Sequence, residues 1–363
     1  MRNGGKKNEL KNALSQLLIP LVALGILLLF NLIRDPGFFS ITMKTNNEGN
    51  AVLAGNLISI IDSASELAII AMGMTLVTAA CGGQDISVGS VGAISGAFFV
   101  LILKAFPEIT IGTVILGIVV SILATMLFMT FNGTLVSVFG IQPMIATLIL
   151  FSCGRSIAYM VNGGNATPQI FSPIISAMGM TIPGIPVPTP IFAVLAVGLI
   201  LTLVFRFTTL GLYTQSVGIN QSAARLNGID PTLIKLLSFI ILGACVAVAG
   251  MIGVCRMSLV NHKTLLIDIE MDAILAVAIG GNNLGGGRFR LTGSVIGAYI
   301  IQMLTTTLYA MNVSPVNIKA YKAIVIIVIV VAGSPVVKQQ LSLAVRRLKQ
   351  AFAPAGREGK AVQ

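Results

Sequence analysis

The chain has 363 residues, 55% of them hydrophobic and only 10% charged, with a formal net charge of +11. Ordinary soluble domains carry about 25% charged residues, so the soluble classes are excluded. Lys and Arg gather at the two ends and in a few loops without a basic face or nucleic-acid motif, which sets aside a nucleic-acid partner.

Several apolar runs approach the roughly 20 residues that cross a bilayer as a helix. Backbone groups have no water to bond inside lipid, so spans are helices or a closed barrel. Strict apolar–polar alternation is missing, and that rejects the barrel. The chain therefore reads as an all-α polytopic membrane protein with about ten transmembrane helices. They are expected near 15–33, 64–80, 87–103, 111–137, 144–161, 190–206, 236–254, 270–282, 293–310 and 319–337. This divides the chain into an N-terminal tail over 1–14, a membrane domain over 15–337 and a basic C-terminal tail over 338–363.

The first run ends in Arg34-Asp35-Pro36, not in a small-residue cleavage site, so it is expected to remain as a span. In the second, Glu66 falls near the outer end. Gly82-Gly83 breaks that helix, and Asp85 is placed to cap the next, with Ser87 near its first turn. A direct transport role for Asp85 is the other reading. Gly89, Gly92 and Gly96 share one helix face, where small residues let helices approach closely. The run at 111–137 is long enough to demand a tilt or a break, and it puts Asn132 near its inner end.

Arg155 sits inside the apolar run 144–161, with Gln142 just before it. A charge at bilayer depth costs roughly 2.5 kcal/mol or more, so Arg155 needs a partner, water or the interface. Its place in the outer part of the helix makes an acid at the outer mouth the expected partner. Two roles stand open, an anchor near an outer gate and a direct solute contact. The following outer loop, 162–189, is Pro- and Gly-rich and uncharged, suiting a folded cap or short re-entrant helix.

The longest inner loop, about 207–235, contains a short helical stretch from Ser222 to Leu226, bounded by Gly218 and by Gly228 with Pro231. A docking element and a plain connector are equally compatible with it. Farther on, Asp268, Glu270 and Asp272 crowd the start of a short helix, favourable on dipole grounds alone. That run, 270–282, is short for a span and suits a re-entrant segment, whereas Arg288 and Arg290 after it favour crossing. Gly82-Gly83 before Gly89-Ser90-Val91 is echoed by Gly280-Gly281 before Gly293-Ser294-Val295, a weak sign of an internal repeat.

With this segmentation one side holds about fifteen Lys and Arg and the other about seven, which places both termini in the cytoplasm. Cys81, Cys153, Cys245 and Cys255 lie in or beside apolar runs without metal-type spacing and read as buried small hydrophobes. The lone His262 builds no zinc site. No GxxxxGK[ST] phosphate loop and no nucleophile–base pair occur, so the chain is expected to be neither an ATPase nor another enzyme. It has no tryptophan and 6% aromatics, a poor basis for a high-affinity sugar site.

Four stretches, GMTLVTAACGGQDISVGS (73–90), IQPMIATLILFSCGRSIAYMV (141–161), VGINQSAARLNGI (217–229) and MDAILAVAIGGNNLGGGRF (271–289), together resemble permease subunits of bacterial ABC importers for simple sugars. That family, of ribose, xylose and galactofuranose type, is related to the branched-chain amino acid permeases, and the galactofuranose type is the best match. The resemblance implies a plasma (inner) membrane dimer of like or paralogous chains, two cytoplasmic ATPase subunits that bind ATP and Mg, and a periplasmic or lipid-anchored sugar-binding protein. No cofactor is expected in this chain itself. The resemblance makes 217–229 the coupling helix seated in an ATPase groove, with Gly218, Ile219, Asn220, Ala223, Ala224, Arg225 and Gly228 as its residues. Glu66, Asp85, Asn132, Arg155 and Asp272 are the candidates for path or gate. Gln84 and the GGGRF segment depart from the family's usual residues. A permease for branched-chain amino acids is the alternative within this class. An ion-coupled secondary transporter is the rival class, disfavoured because the acids fall mostly near span ends.

Overall fold

The computed structural model describes residues 20–45, 51–164 and 167–333. The expected tails, 1–14 and 338–363, lie outside the described residues. The chain divides into two units, Met1–Val313 and Ser314–Gln363.

Among the described residues the first unit is helical apart from one pair of antiparallel strands. Helix α1, Pro20–Arg34, leads into strands β1 (Thr42–Thr45) and β2 (Ala51–Ala54), an antiparallel pair with Thr42 opposite Ala54. Next come α2 (Asn56–Ser63), α3 (Ser65–Cys81), α4 (Val88–Lys104), α5 (Ile111–Ser137), α6 (Pro143–Val161), α7 (Pro173–Gly179) and α8 (Thr189–Phe207). The short helices α9 (Leu210–Ile219) and α10 (Gln221–Leu226) precede α11 (Pro231–Met257), α12 (Ile269–Ile279) and α13 (Leu291–Ala310). The second unit contains α14, Pro315–Gly333, which opens with proline, a residue tolerated in a first helical turn.

Among the described residues six helical stretches are long and apolar enough to cross a membrane: Asn56–Cys81, α5, α6, α8, α11 and α13. Most boundaries fall within two residues of the sequence expectation. Helix α11 departs most, because Asp230 caps it by accepting from the Thr232 amide at 2.9 Å and Pro231 opens it five residues early; α14 also opens four residues early, at Pro315, and α12 ends three early, at Ile279. Helix α5 is one unbroken helix of 27 residues, about 40 Å long. Helix α12 has 11 residues and is about 16 Å long, roughly half the apolar thickness of a bilayer.

Apolar residues all round a helix predict burial all round, and α3 meets that rule: every residue from Ser65 to Ala80 is buried. It is the axis of the first unit, packed by α11, α12, α13, α8 and α9. In contrast α5, α6 and α8 expose Leu123, Leu127, Ile145, Leu195 and Leu199, the faces expected against lipid. Within the uncharged loop, residues 167–189 carry the short helix α7 against the end of α11. A Cβ on Gly179 would overlap the Cys255–Arg256 backbone, so only glycine permits this approach.

Candidate functional site

Polar and glycine-rich segments converge at the two opposite ends of the first unit. At one end meet the start of α3, the end of α11, residues 258–268 and α7. Arg256, in the last turn of α11, donates from Nε to Glu66 Oε1 at 3.0 Å and from Nη1 to Asp62 Oδ2 at 2.5 Å. Asp62 and Glu66 lie four apart on either side of the junction of α2 and α3, so one guanidinium spans both. Arg256 escaped the sequence reading; the usable signal was the four-residue spacing of the two acids.

Arg155 takes backbone carbonyls as hydrogen-bond partners rather than a carboxylate. Its Nη1 donates to the His262 carbonyl at 2.8 Å and to the Leu265 carbonyl at 3.0 Å. One turn along α6, the Tyr159 ring stands 4.9 Å from the His262 ring. Helix α6 thus grips the α11–α12 connection, which carries Ser258, Leu266 and Asp268 at φ 53°, 50° and 60°. Non-glycine residues rarely hold that left-handed region without surrounding support. Glu270 Oε2 is buried without a hydrogen-bond partner and abuts Gly89 of α4, where a Cβ would overlap it. Asp272 lies half-buried in the same first turn of α12.

At the other end the break between α3 and α4 brings Asp85 and Asn132 together. Asp85 does not cap α4 with its side chain. The helix begins one residue after Ser87, and Asp85 Oδ1 instead accepts from the Ser87 amide at 2.6 Å and the Ser87 hydroxyl at 2.7 Å. Asn132 Nδ2, from α5, donates to Ser87 Oγ at 2.9 Å, while Asn132 Oδ1 is left without a partner. Burial raises the Asp85 pKa to about 6, against the hydrogen bonds from Ser87 and Asn132.

The break between α12 and α13 packs onto the same end. Asn282 donates to Ser294 Oγ at 2.8 Å and accepts from the Arg290 amide at 2.7 Å, closing the loop on itself. Ser294 in turn bonds Thr75 of α3 at 2.6 Å. Gln84 Nε2 reaches the Leu284 carbonyl at 3.0 Å, and the Gly287 amide reaches the Ala79 carbonyl at 2.9 Å. The two echoed Gly-Gly breaks therefore lie in one polar layer.

Helices α9 and α10 cover this layer. Asn220 caps α10 by accepting from the Ala223 amide at 3.0 Å, and Gly228 ends the turn with φ 76°. Val217, Ala224 and Ile234 form a small core that ties α9, α10 and the start of α11 together. Gly218, expected as a boundary, lies inside α9. Beside α9 an open hollow of about 440 Å³ is lined by Phe205, Gln215, Phe289 and Arg290 among others.

Comparisons with known proteins return transport permeases. The family described as "Branched-chain amino acid transport system / permease component" matches residues 56–333. The galactofuranose transporter permease protein of Escherichia coli is 35% identical over 86% of this chain and 88% of its own length. The fructose import permease protein of Bifidobacterium longum is 35% identical, covering 88% of each. The ribose import permease protein of Haemophilus influenzae is 33% identical over 86% of this chain and 91% of its own. No solved structure matches the chain.

Proposed function

We propose, from the premise that this chain belongs to the branched-chain amino acid transport system permease family, that it is the membrane subunit of an ABC importer for a monosaccharide. It is an integral, multi-pass membrane protein. The named relatives are permeases for galactofuranose, fructose and ribose, and this supports sugar as the cargo over the branched-chain amino acids of the family description. On this reading ten segments lie in a bacterial inner membrane with both termini in the cytoplasm. The excess of Lys and Arg on the α9–α10 side supports that orientation. Two permease chains frame the path, two ATPase subunits bind the ATP and Mg, and an extracytoplasmic binding protein selects the sugar.

The observation that carries the proposal is α10. It projects Arg225 and Leu226 outward, Leu226 being 90% exposed, from a body fixed by its own core. An apolar side chain standing out of a short, firmly held helix is a natural knob for a groove on a partner. Gly218, Ile219, Asn220, Ala223, Ala224, Arg225 and Gly228 are assigned to this coupling element. Glu66, Arg155 and Asp272 are assigned to the outer gate, and Asp85 with Asn132 to the inner one. ATP-driven closure of the ATPases would push α10 and switch access between the two ends.

The test is reconstitution of the permease with an ABC ATPase and a sugar-binding protein that co-purify with it. Replacing residues 220–228 by an unrelated polar helix is expected to abolish sugar-stimulated ATP hydrolysis while the permease still folds. Normal stimulation would refute the coupling assignment. Uptake driven by an ion gradient with this chain alone would refute the ABC reading, and uptake of leucine but no sugar would move the cargo to amino acids.

A further inference from the structure

We propose that Gly218 is a positioning residue for transport: it is the bearing through which the coupling element drives both glycine breaks as one body. The proposal rests on the assignment of α10 to ATPase coupling. Gly218 has helical backbone and no turn to make, so conformational freedom does not explain the glycine. Close approach does. A Cβ at 218 would overlap the Ala79 carbonyl oxygen and stand 2.6 Å from the Gly287 amide nitrogen.

Those two atoms are bonded to each other at 2.9 Å. Ala79 belongs to the last turn of α3, where carbonyls lose their intrahelical partner, and the Gly287 amide supplies one across the layer. A side chain at 218 would therefore wedge into the bond that fastens the α12–α13 loop to α3. The same joint extends to Gly82, where a Cβ would stand 2.8 Å from the Gly285 carbonyl. Three chain segments meet backbone to backbone. Small residues at such contacts allow close helix approach, and a joint without side chains has no rotamers to absorb a displacement. A push on α10, fixed to α9 through Val217 and Ala224, is delivered to the end of α3 and to residues 285–287 together.

Two variants test this in the reconstituted complex. Gly218→Ala is expected to lower sugar-stimulated ATP hydrolysis and uptake by roughly tenfold or more while the ATPase still co-purifies with the permease. Gly211→Ala is the control on the same helix, because its Cβ would meet the Phe205 ring at an ordinary 3.5 Å; uptake is expected to stay within about twofold. The second test locks the joint. A Cβ at 287 would lie 3.9 Å from the Ile219 Cα, within disulfide reach. Ile219→Cys with Gly287→Cys, in a chain lacking its four native cysteines, alters the joint itself and puts a side chain at φ 96°, so its own reduced form is the reference: oxidation is expected to leave that uptake unchanged within about twofold, since the parts move together.

Full coupling in Gly218→Ala would overturn the proposal. So would loss of uptake on cross-linking that a reductant restores, since the joint would then have to open. If Gly218→Ala does not assemble, the cross-link decides alone. The underlying reading is separated by the 220–228 replacement: normal coupling there removes the α10 assignment, whereas lost coupling there with normal Gly218→Ala removes only the bearing.

Discussion

Arg256 bonds Glu66 at 3.0 Å across 190 residues of sequence, fastening the end of α11 to the start of α3. The same guanidinium also takes Asp62, and all three side chains are at least three-quarters buried. Removing the cation leaves two acids facing each other in a poorly solvated site. Breaking such an ion pair from one side costs roughly 3 kcal/mol or more. Arg256→Met is therefore expected to lower the melting temperature of the detergent-solubilised permease by several degrees. Adding Asp62→Asn and Glu66→Gln to it is expected to recover part of that loss. A single variant as stable as the parent would show that water, not Arg256, satisfies these carboxylates.

Arg155 bonds four carbonyls of the α11–α12 connection, those of His262 and Leu265 at 2.8 and 3.0 Å and, longer, those of Lys263 and Leu266. Arg155→Ala deletes these bonds and releases a segment held in left-handed backbone, so amide exchange over residues 258–268 is expected to accelerate. Lysine carries the charge but not the planar fork, and Arg155→Lys is expected to restore only part of the protection. If the alanine variant left exchange, assembly and transport all unchanged, neither the anchor nor the gate role would survive.

These two arginines show what the sequence could and could not disclose. Long apolar runs bounded by Gly, Pro and Asn placed α4, α5, α6, α8 and α13 almost to the residue, because helix ends depend on local chemistry. The short helix in the 207–235 loop was legible at its end for the same reason, through Gly228 and Pro231, whereas Gly218, read as its other boundary, lies inside α9 and Asn220 caps the helix instead. The partner of Arg155 was not, since backbone carbonyls leave no mark in a side-chain pattern. Nor was the pairing of Glu66 with Arg256, which depends on two helices meeting far apart in sequence. The packing role of Gly218 was hidden because glycine signals a turn and a close approach with the same letter. The expected cap at Asp85 failed by register: Ser87 takes the N-cap position before Val88, and the acid accepts from Ser87 instead.

Asp85 makes stability depend on pH. Burial raises its pKa from 3.8 in the free side chain to about 6, so the folded state prefers the neutral acid. Its contribution is fully present below about pH 4 and is lost as the pH rises through 6, a difference of roughly 3 kcal/mol. The permease is thus expected to melt at lower temperature at pH 7.5 than at pH 5, apart from other groups. Asp85→Asn should flatten that difference. Its Oδ1 still accepts from Ser87, and a half-turn of the Asn132 amide gives the unpaired Asn132 Oδ1 a donor. Thermal melts of both proteins from pH 4.5 to 7.5 check this, and an unchanged slope in the variant would assign the effect to another group.

Asn282 closes the loop between α12 and α13 from both sides, accepting from the Arg290 amide and donating to Ser294 Oγ. Asn282→Ala leaves the Arg290 amide without this acceptor and releases Ser294 to bond Thr75 alone. Each stranded polar group costs about 1–3 kcal/mol where water is scarce. The loss is expected to be local, because α12 and α13 also hold each other through the close approach of Gly280 and Gly293. Amide exchange should therefore accelerate over residues 282–292 while α3 stays protected. Asn282→Asp keeps the acceptor and loses the donor, so the Arg290 amide should remain slow in that variant. Equal exchange in the two variants would mean that the bond to Ser294, not the one to Arg290, fixes the loop.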